Sequence, residues 1–103
     1  MNIVEKKEGE KLIVSLEGSL DSLTAPMLEE RLRSLLTDQT ALVIDCKSLQ
    51  YVSSAGLRVF LWAAKKMKQQ GEMELCHVGA DVMSVLRMTG FTEILNIRQV
   101  QEK

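Results

Sequence analysis

The hydrophobic pattern of the chain switches repeatedly between the period of two that is typical of strands and the longer period of helices. Residues 3–8 and Lys11–Gly18 carry strand patterns, and the turn residues Glu8, Gly9 and Glu10 between them predict a hairpin. Helical and strand patterns then alternate along the rest of the chain. We therefore predict an α/β fold in the order β-β-α-β-α-β-α-β, in which helical crossovers join the parallel strands of a mixed, partly parallel sheet.

Three segments have the spacing of amphipathic helices. They are Thr24–Thr37, a segment that begins near Ser54 or Ala55 and ends at Gly71, and a short one around Val82, Val85 and Leu86 that ends at Gly90. At the start of the first helix, Thr24 is predicted to cap free amides with its hydroxyl. Pro26 is tolerated in the same turn because the first amides of a helix need no helical partner.

Three strands are predicted after the first helix. They are Ala41–Ile44, which ends at Asp45 and Cys46, then Met73–Val78, and finally Ile94–Val100, with a polar bend at Lys47–Gln50 after the first of them. A continuous apolar run such as Ala41–Ile44 is typical of a central strand that is covered on both faces. We therefore expect this strand to lie inside the sheet.

Length and charge exclude several classes of protein. The chain has 103 residues, with 13 Lys and Arg against 14 Asp and Glu, and a formal net charge of −1. We expect a single domain over residues 1–103 that does not bind nucleic acid directly, because that affinity depends on clustered basic residues. No apolar run approaches the roughly 20 residues of a membrane span, and charge begins at Glu5, before a signal-peptide core forms. We expect a cytoplasmic protein without membrane insertion.

Residues that commonly carry catalysis or bind metals are few. Cys46 and Cys76 lie in predicted strands without a C-x-x-C pair, so we interpret them as free buried thiols. His77 is the single histidine, and its place at a strand end favours a structural role. These residues are too few for a dedicated zinc site or a Ser/His/Asp triad. We therefore expect a protein that is not an enzyme and that has no metal site or cofactor.

The segment Ser53–Arg58 places small side chains at the start of the second helix. Small side chains leave backbone amides open, and a helix N-terminus favours anions. One interpretation is that Ser53 or Ser54 is only an N-cap and that the small residues allow close packing on the sheet. The other is that Ser54 carries a phosphate, which meets these amides and the side chain of Arg58.

Several short motifs occur in a characteristic order. They are Gly18-Ser19-Leu20-Asp21 with Thr24, Leu42-Val43-Ile44-Asp45, Leu49-Gln50-Tyr51-Val52 leading to Ser53-Ser54-Ala55-Gly56-Leu57, Gly71 with the strand Glu72–Val78, and Leu86-Arg87-Met88-Thr89-Gly90-Phe91. In this order and spacing, the chain resembles the STAS family over nearly its whole length. Within that family it is similar to the stand-alone bacterial anti-sigma factor antagonists, so the resemblance implies a STAS fold.

The resemblance also implies a function. Ser54 stands where the family is phosphorylated by its partner, an anti-sigma factor that is also a serine kinase of the GHKL type. The unphosphorylated protein binds this partner and frees the sigma factor, the phosphorylated one releases it, and a PP2C-type phosphatase resets the switch. The alternative is a STAS subunit of a larger assembly, such as a stressosome or a lipid-transport ATPase complex, that acts by constitutive contact.

The chain departs from the family motif at two positions. Ser53 stands where the family often has Asp, and Ala55 replaces a second Ser or Thr. The first change removes a carboxylate that orients the acceptor hydroxyl, which leaves Asp21 and Asp45 as candidates for that role. Either Asp also has a structural interpretation, because Asp before a helix often caps or turns the chain and a carboxylate at a strand end needs donors. The neighbouring Ser53 remains a second, less favoured phosphorylation site.

The predicted partner surface surrounds the start of the second helix. Its residues are Asp21, Ser53, Ser54, Ala55, Gly56, Arg58, Val59 and Trp62. Val59 and Trp62 share one face of the helix, opposite the predicted core stripe, and Trp is frequent among interface hot spots. The alternative for these two residues is packing against a neighbouring helix. We expect the chain itself to be a monomer or a weak dimer.

Overall fold

The computed structural model describes residues 1–98 and contains five strands and three α-helices in that range. In chain order the elements are β1 (Asn2–Glu8), β2 (Lys11–Leu20), α1 (Ala25–Leu35), β3 (Ala41–Val52), α2 (Ser54–Lys68), β4 (Glu72–Cys76), α3 (Ala80–Met88), a 3-10 turn (Phe91–Glu93) and β5 (Asn96–Arg98). The predicted order of strands and helices is confirmed. Within the described range, no helix has both the length and the apolar character that crossing a membrane requires.

The five strands form one mixed sheet in the order β1-β2-β3-β4-β5. β1 and β2 pair antiparallel through the predicted hairpin, and all other neighbours are parallel. α1 and α2 each connect a parallel strand to the next one in the same direction. Because such crossovers are right-handed, both helices lie on the same face of the sheet, where they pack against each other. The predicted fold class is therefore confirmed.

The core lies between this face and the helices. The strand register places Leu12, Leu42 and Met73 side by side, and the next row on the same face repeats the arrangement with Val14, Ile44 and Leu75. These rows belong to one cluster of buried side chains with the largest buried residue, Phe60 of α2. Because all of these side chains are apolar, their removal from water supplies the main driving force for folding. Side chains of the opposite face, among them Val43 and Cys76, lie outside that cluster.

The predicted polar bend at Lys47–Gln50 is wrong, because β3 continues without interruption to Val52. Its second half pairs with β2 through two irregularities in the register. Leu49 and Val52 are buried and hold this half to the core, while the polar residues between them point outward. The parallel neighbour thus stabilises a strand whose own residues favour a bend.

Other predicted element ends also differ from the structure. Thr24 makes no side-chain cap to α1, since its hydroxyl donates instead to the carbonyl oxygen of Ser19 at 2.8 Å. α1 ends at Leu35, before its predicted end at Thr37.

The predicted strand Met73–Val78 ends at Cys76. His77 lies just after β4 with a φ of 56°, and a left-handed residue cannot continue a strand. The predicted last strand is described only for Asn96–Arg98, and its predicted end lies outside the described residues.

Gly71 allows β4 to start directly beside β3. A Cβ atom at this position would lie 1.9 Å from the carbonyl oxygen of Thr40, which accepts a hydrogen bond from the amide of Glu72 at 3.0 Å. We predict that Gly71→Ala lowers the free energy of unfolding by about 2 kcal/mol or more, because backbone must shift to make room. Urea denaturation measures the change, and Gln69→Ala, at the exposed end of α2, is the control. Equal stability of the two variants would contradict this packing.

Candidate functional site

The ends of β2 and β3 lie side by side and bring two loops together. Leu20 pairs with Val52 at the last position of the parallel ladder, and the amide of Ser53 donates to the carbonyl oxygen of Leu20 at 2.8 Å. The loop before α1 and the first turn of α2 therefore leave the sheet as neighbours. Most of the residues that the sequence predicts for the partner surface meet at this point.

The two serines at the start of α2 have different environments. Ser53 is the N-cap in an extended conformation, is half-buried, and accepts a long hydrogen bond of 3.4 Å from the amide of Gly56 to its Oγ. Ser54 is the first residue of the helix and is exposed. The capping role predicted for one of the serines thus belongs to Ser53. The Ser54 hydroxyl lies at the surface, where a modifying enzyme can reach it.

Gly56 brings α2 close to the strand ends. A Cβ atom here would lie 2.7 Å from a carbon of the Leu20 side chain and 2.8 Å from one of Val52. Real Cβ atoms do not approach other carbons so closely. The close packing that the sequence allowed for the small residues is present, and Gly56 contributes to the site by position rather than by an exposed side chain.

Asp21 organises the loop before α1. Its Oδ1 accepts the amides of Leu23 at 3.0 Å and Thr24 at 3.1 Å, while its own amide donates to the Thr24 hydroxyl at 2.9 Å. The amide of Thr24, followed by that of Leu23, lowers the pKa of the Asp21 carboxyl below its ordinary value, since both amides stabilise the ionised form. Asp21 therefore has the structural role that the sequence left open, because its side chain holds the turn before α1. This turn lies beside the start of α2.

Asp45 does not reach this site. It lies seven residues before Val52 in an extended strand, which separates it from Ser53 by roughly 20 Å. Its Oδ1 instead lies 3.0 Å from Nδ1 of His77 and accepts the amide of Lys47 at 3.0 Å. Of the two carboxylates proposed to replace the missing one at Ser53, only Asp21 is near the serines.

Val59 and Trp62 face α1, which the sequence considered as the alternative to a partner surface. Val59 is only 4% exposed and belongs to the core, so its assignment as a surface residue is corrected. Trp62 is half-buried, and the guanidinium carbon of Arg33 lies 4.6 Å from its ring centroid. Such an arrangement is a cation–π contact that links α1 to α2. Arg58, one turn before Trp62, is exposed.

Two exposed apolar residues at the start of α1 were not singled out from the sequence. Leu23 is 83% exposed in the loop held by Asp21, and Met27 is 52% exposed in the first turn of α1. A shallow groove between the starts of α1 and α2 is lined by residues that include Ser22, Pro26, Ala55 and Arg58. Leu23 was visible in the sequence only as an apolar residue outside the periodic stripe of the helix. An exposed apolar side chain beside a polar site is a common feature of protein-binding surfaces.

Fold and site together define a class of protein. The chain matches the STAS domain family over residues 2–103, so it belongs to that family. Two relatives narrow the class. BtrV of Bordetella bronchiseptica is 36% identical over 104 residues, which cover 99% of this chain and 90% of BtrV. The anti-sigma-B factor antagonist of Bacillus subtilis is 33% identical over 105 residues, covering 99% and 96% of the two chains. Within the STAS family, the chain belongs with the anti-sigma factor antagonists.

A solved structure agrees with the architecture. The Bacillus cell fate determinant SpoIIAA in its phosphorylated form superposes with a TM-score of 0.76, covering 98% of this chain and 93% of SpoIIAA. The two sequences are 14% identical, so the comparison supports the shared fold alone.

We predict that Asp21→Ala destabilises the protein at pH 7 and that this loss disappears in acid. The folded state lowers the pKa of Asp21, so its stabilising effect is present above the unfolded pKa, about 3.9, and is lost as pH falls through the lower folded value. Chemical denaturation at several pH values measures the difference in free energy of unfolding between this variant and the protein without the substitution. Asp38→Ala is the control, and a difference that grows with acidity would contradict the assigned contacts.

Proposed function

We propose that the chain is a cytoplasmic anti-sigma factor antagonist that binds an anti-sigma factor through the surface around Ser54. We call this the Ser54 surface, and it consists of Asp21, Ser22, Leu23, Ser54, Ala55 and Arg58. Beneath this surface lie three less exposed residues of the same segment, Ser53, Gly56 and Val59. Trp62 lies at the end of the surface that is farthest from Ser54 along α2. The observation that carries the proposal is the exposed Ser54 hydroxyl at the first residue of α2, where the neighbouring loop from β2 carries the exposed side chain of Leu23. Membership of the antagonist group agrees with this function.

Phosphorylation of Ser54 is the proposed off switch. A phosphoserine adds about −1.5 to −2 charges and three acceptor oxygens, which changes the net charge of the chain from −1 to about −3. The open amides of α2 and the Arg58 side chain, one turn further on, stabilise the added phosphate. An anti-sigma factor packed on this surface would have to desolvate that charge, so binding is lost without any refolding of the domain.

The proposed enzymes of the switch act on the same hydroxyl. The anti-sigma factor is a serine kinase of the GHKL type, and a PP2C-type phosphatase removes the phosphate. Ser54 is favoured over Ser53 because it is exposed, while the Ser53 oxygen accepts a backbone amide and is half-buried. The phosphorylated SpoIIAA structure supports the compatibility of this fold with a phosphorylated state.

We predict that Ser54→Ala abolishes phosphorylation by the cognate anti-sigma factor kinase, whereas Ser53→Ala retains it. Radiolabelled phosphate transfer, followed by mass spectrometry of the modified peptide, measures both. Ser54→Asp is expected to weaken binding to the anti-sigma factor by tenfold or more, since it places a negative charge on the contact surface.

Two outcomes would contradict this assignment. Unchanged labelling of Ser54→Ala would exclude Ser54 as the acceptor. Full affinity of Ser54→Asp would favour constitutive contact, as in a subunit of a stressosome or a lipid-transport ATPase complex, over a charge-dependent switch.

Leu23 provides a test of the binding surface that does not depend on phosphorylation. We predict that Leu23→Ala weakens binding to the anti-sigma factor by about tenfold, which corresponds to about 1.4 kcal/mol. Its thermal stability should be unchanged, because the side chain is 83% exposed and contributes little to the core. Met88→Ala, which is equally exposed at the end of α3, is the matched control in calorimetric titrations. Equal affinities of the two variants would place the partner elsewhere.

A further inference from the structure

Three side chains with metal-binding donor atoms meet near the middle of the sheet. Asp45 of β3 and Cys76 of β4 are direct neighbours in the parallel ladder, and His77 follows Cys76. One donor atom from each of the three side chains lies within 4.8 Å of those from the other two. Cys76 is buried, Asp45 is half-buried and His77 is exposed, so the cluster opens to solvent on one side.

The backbone of His77 brings its side chain to this cluster. In an extended strand, adjacent side chains point to opposite faces, so Cys76 and His77 would normally be separated. His77 instead has a φ of 56° and is the only non-glycine residue with positive φ among residues 1–98. Its Nδ1 then lies 3.0 Å from Oδ1 of Asp45. A strained conformation that collects polar side chains is a feature that points to function.

The donor set fits one class of metal ion. A thiolate, an imidazole and a carboxylate are all zinc ligands, and three protein ligands leave a fourth tetrahedral position for water or another group. Thiolate ligation disfavours magnesium and calcium, which prefer oxygen donors. Bonds of about 2.0 to 2.3 Å in a tetrahedral site separate ligand atoms by roughly 3 to 4 Å, so side-chain shifts of about 1 Å close the cluster around an ion.

The surroundings hold the cluster in place. The amide of Lys47 donates to Oδ1 of Asp45 at 3.0 Å and orients the carboxylate. Arg98 pairs with Glu74 at 3.1 Å, which offsets its positive charge beside Cys76. The ligand form of a cysteine is the thiolate, so a zinc ion displaces the thiol proton of Cys76 on binding.

We propose that Asp45, Cys76 and His77 form a mononuclear zinc site with one open position. The sequence predicted no metal site because it contains only two cysteines and one histidine. The fold brings the carboxylate of Asp45, on the neighbouring strand, to one of these cysteines and the histidine. The site is independent of the proposed Ser54 surface, because most of the length of β3 separates Asp45 from Ser53.

The test uses the full-length protein without a histidine tag. Competition with a chromophoric zinc chelator gives stoichiometry and affinity, and Co²⁺ in place of Zn²⁺ reports thiolate ligation through its near-ultraviolet charge-transfer absorption. We expect one ion per chain and a thiolate-to-cobalt band. Cys76→Ser should abolish the band, and His77→Asn, which tolerates positive φ, should weaken zinc affinity by at least about tenfold.

Matched controls separate this site from adventitious binding. Cys46→Ala removes the other thiol, and Asp81→Asn removes an exposed carboxylate on α3, so both should bind zinc as the unmodified protein does. The proposal is overturned if Co²⁺ gives no thiolate band, if the band survives in Cys76→Ser, or if His77→Asn binds zinc with unchanged affinity.

Discussion

The parallel pairing of β3 with both of its neighbours is the interaction on which the rest of the structure depends. This strand lies at the centre of the sheet and supplies the middle residue of each apolar row beneath the helices. Its last residue pairs with Leu20, and the amide that follows bonds to the same residue. The start of α2, and with it the orientation of Ser54, is therefore fixed by backbone hydrogen bonds rather than by flexible side chains.

The sequence predicted the order of elements because periodicity is a local property, as in the alternation of Lys11–Gly18 and the helical spacing of Leu28 and Leu32. It failed where a distant strand decides the local structure, as at Lys47–Gln50, whose polar residues join β3 only through the pairing with β2. The burial of Val59 has a similar cause. α2 packs against both the sheet and α1, so its buried surface is wider than a single apolar stripe predicts.

The candidate site was predictable in part. The small residues and paired serines after Val52 marked the helix start, but the choice between Asp21 and Asp45 required the register of β2 and β3. The exposure of Leu23 depends on a loop closed by the side chain of Asp21. The left-handed conformation of His77 has no signal in the sequence, so the cluster with Asp45 and Cys76 appeared only in three dimensions.

β1 limits how another protein can pair with its edge of the sheet. As the outermost strand it has backbone groups that face outward, and such edges can accept a foreign strand. Its second half is a run of charges from Glu5 to Glu8, with Glu5 paired to Arg31 of α1 at 2.7 Å. Adding a strand here would bury these charges, which protects the protein against edge-to-edge aggregation. At this edge, recognition by side chains and loops is thereby favoured over extension of the sheet.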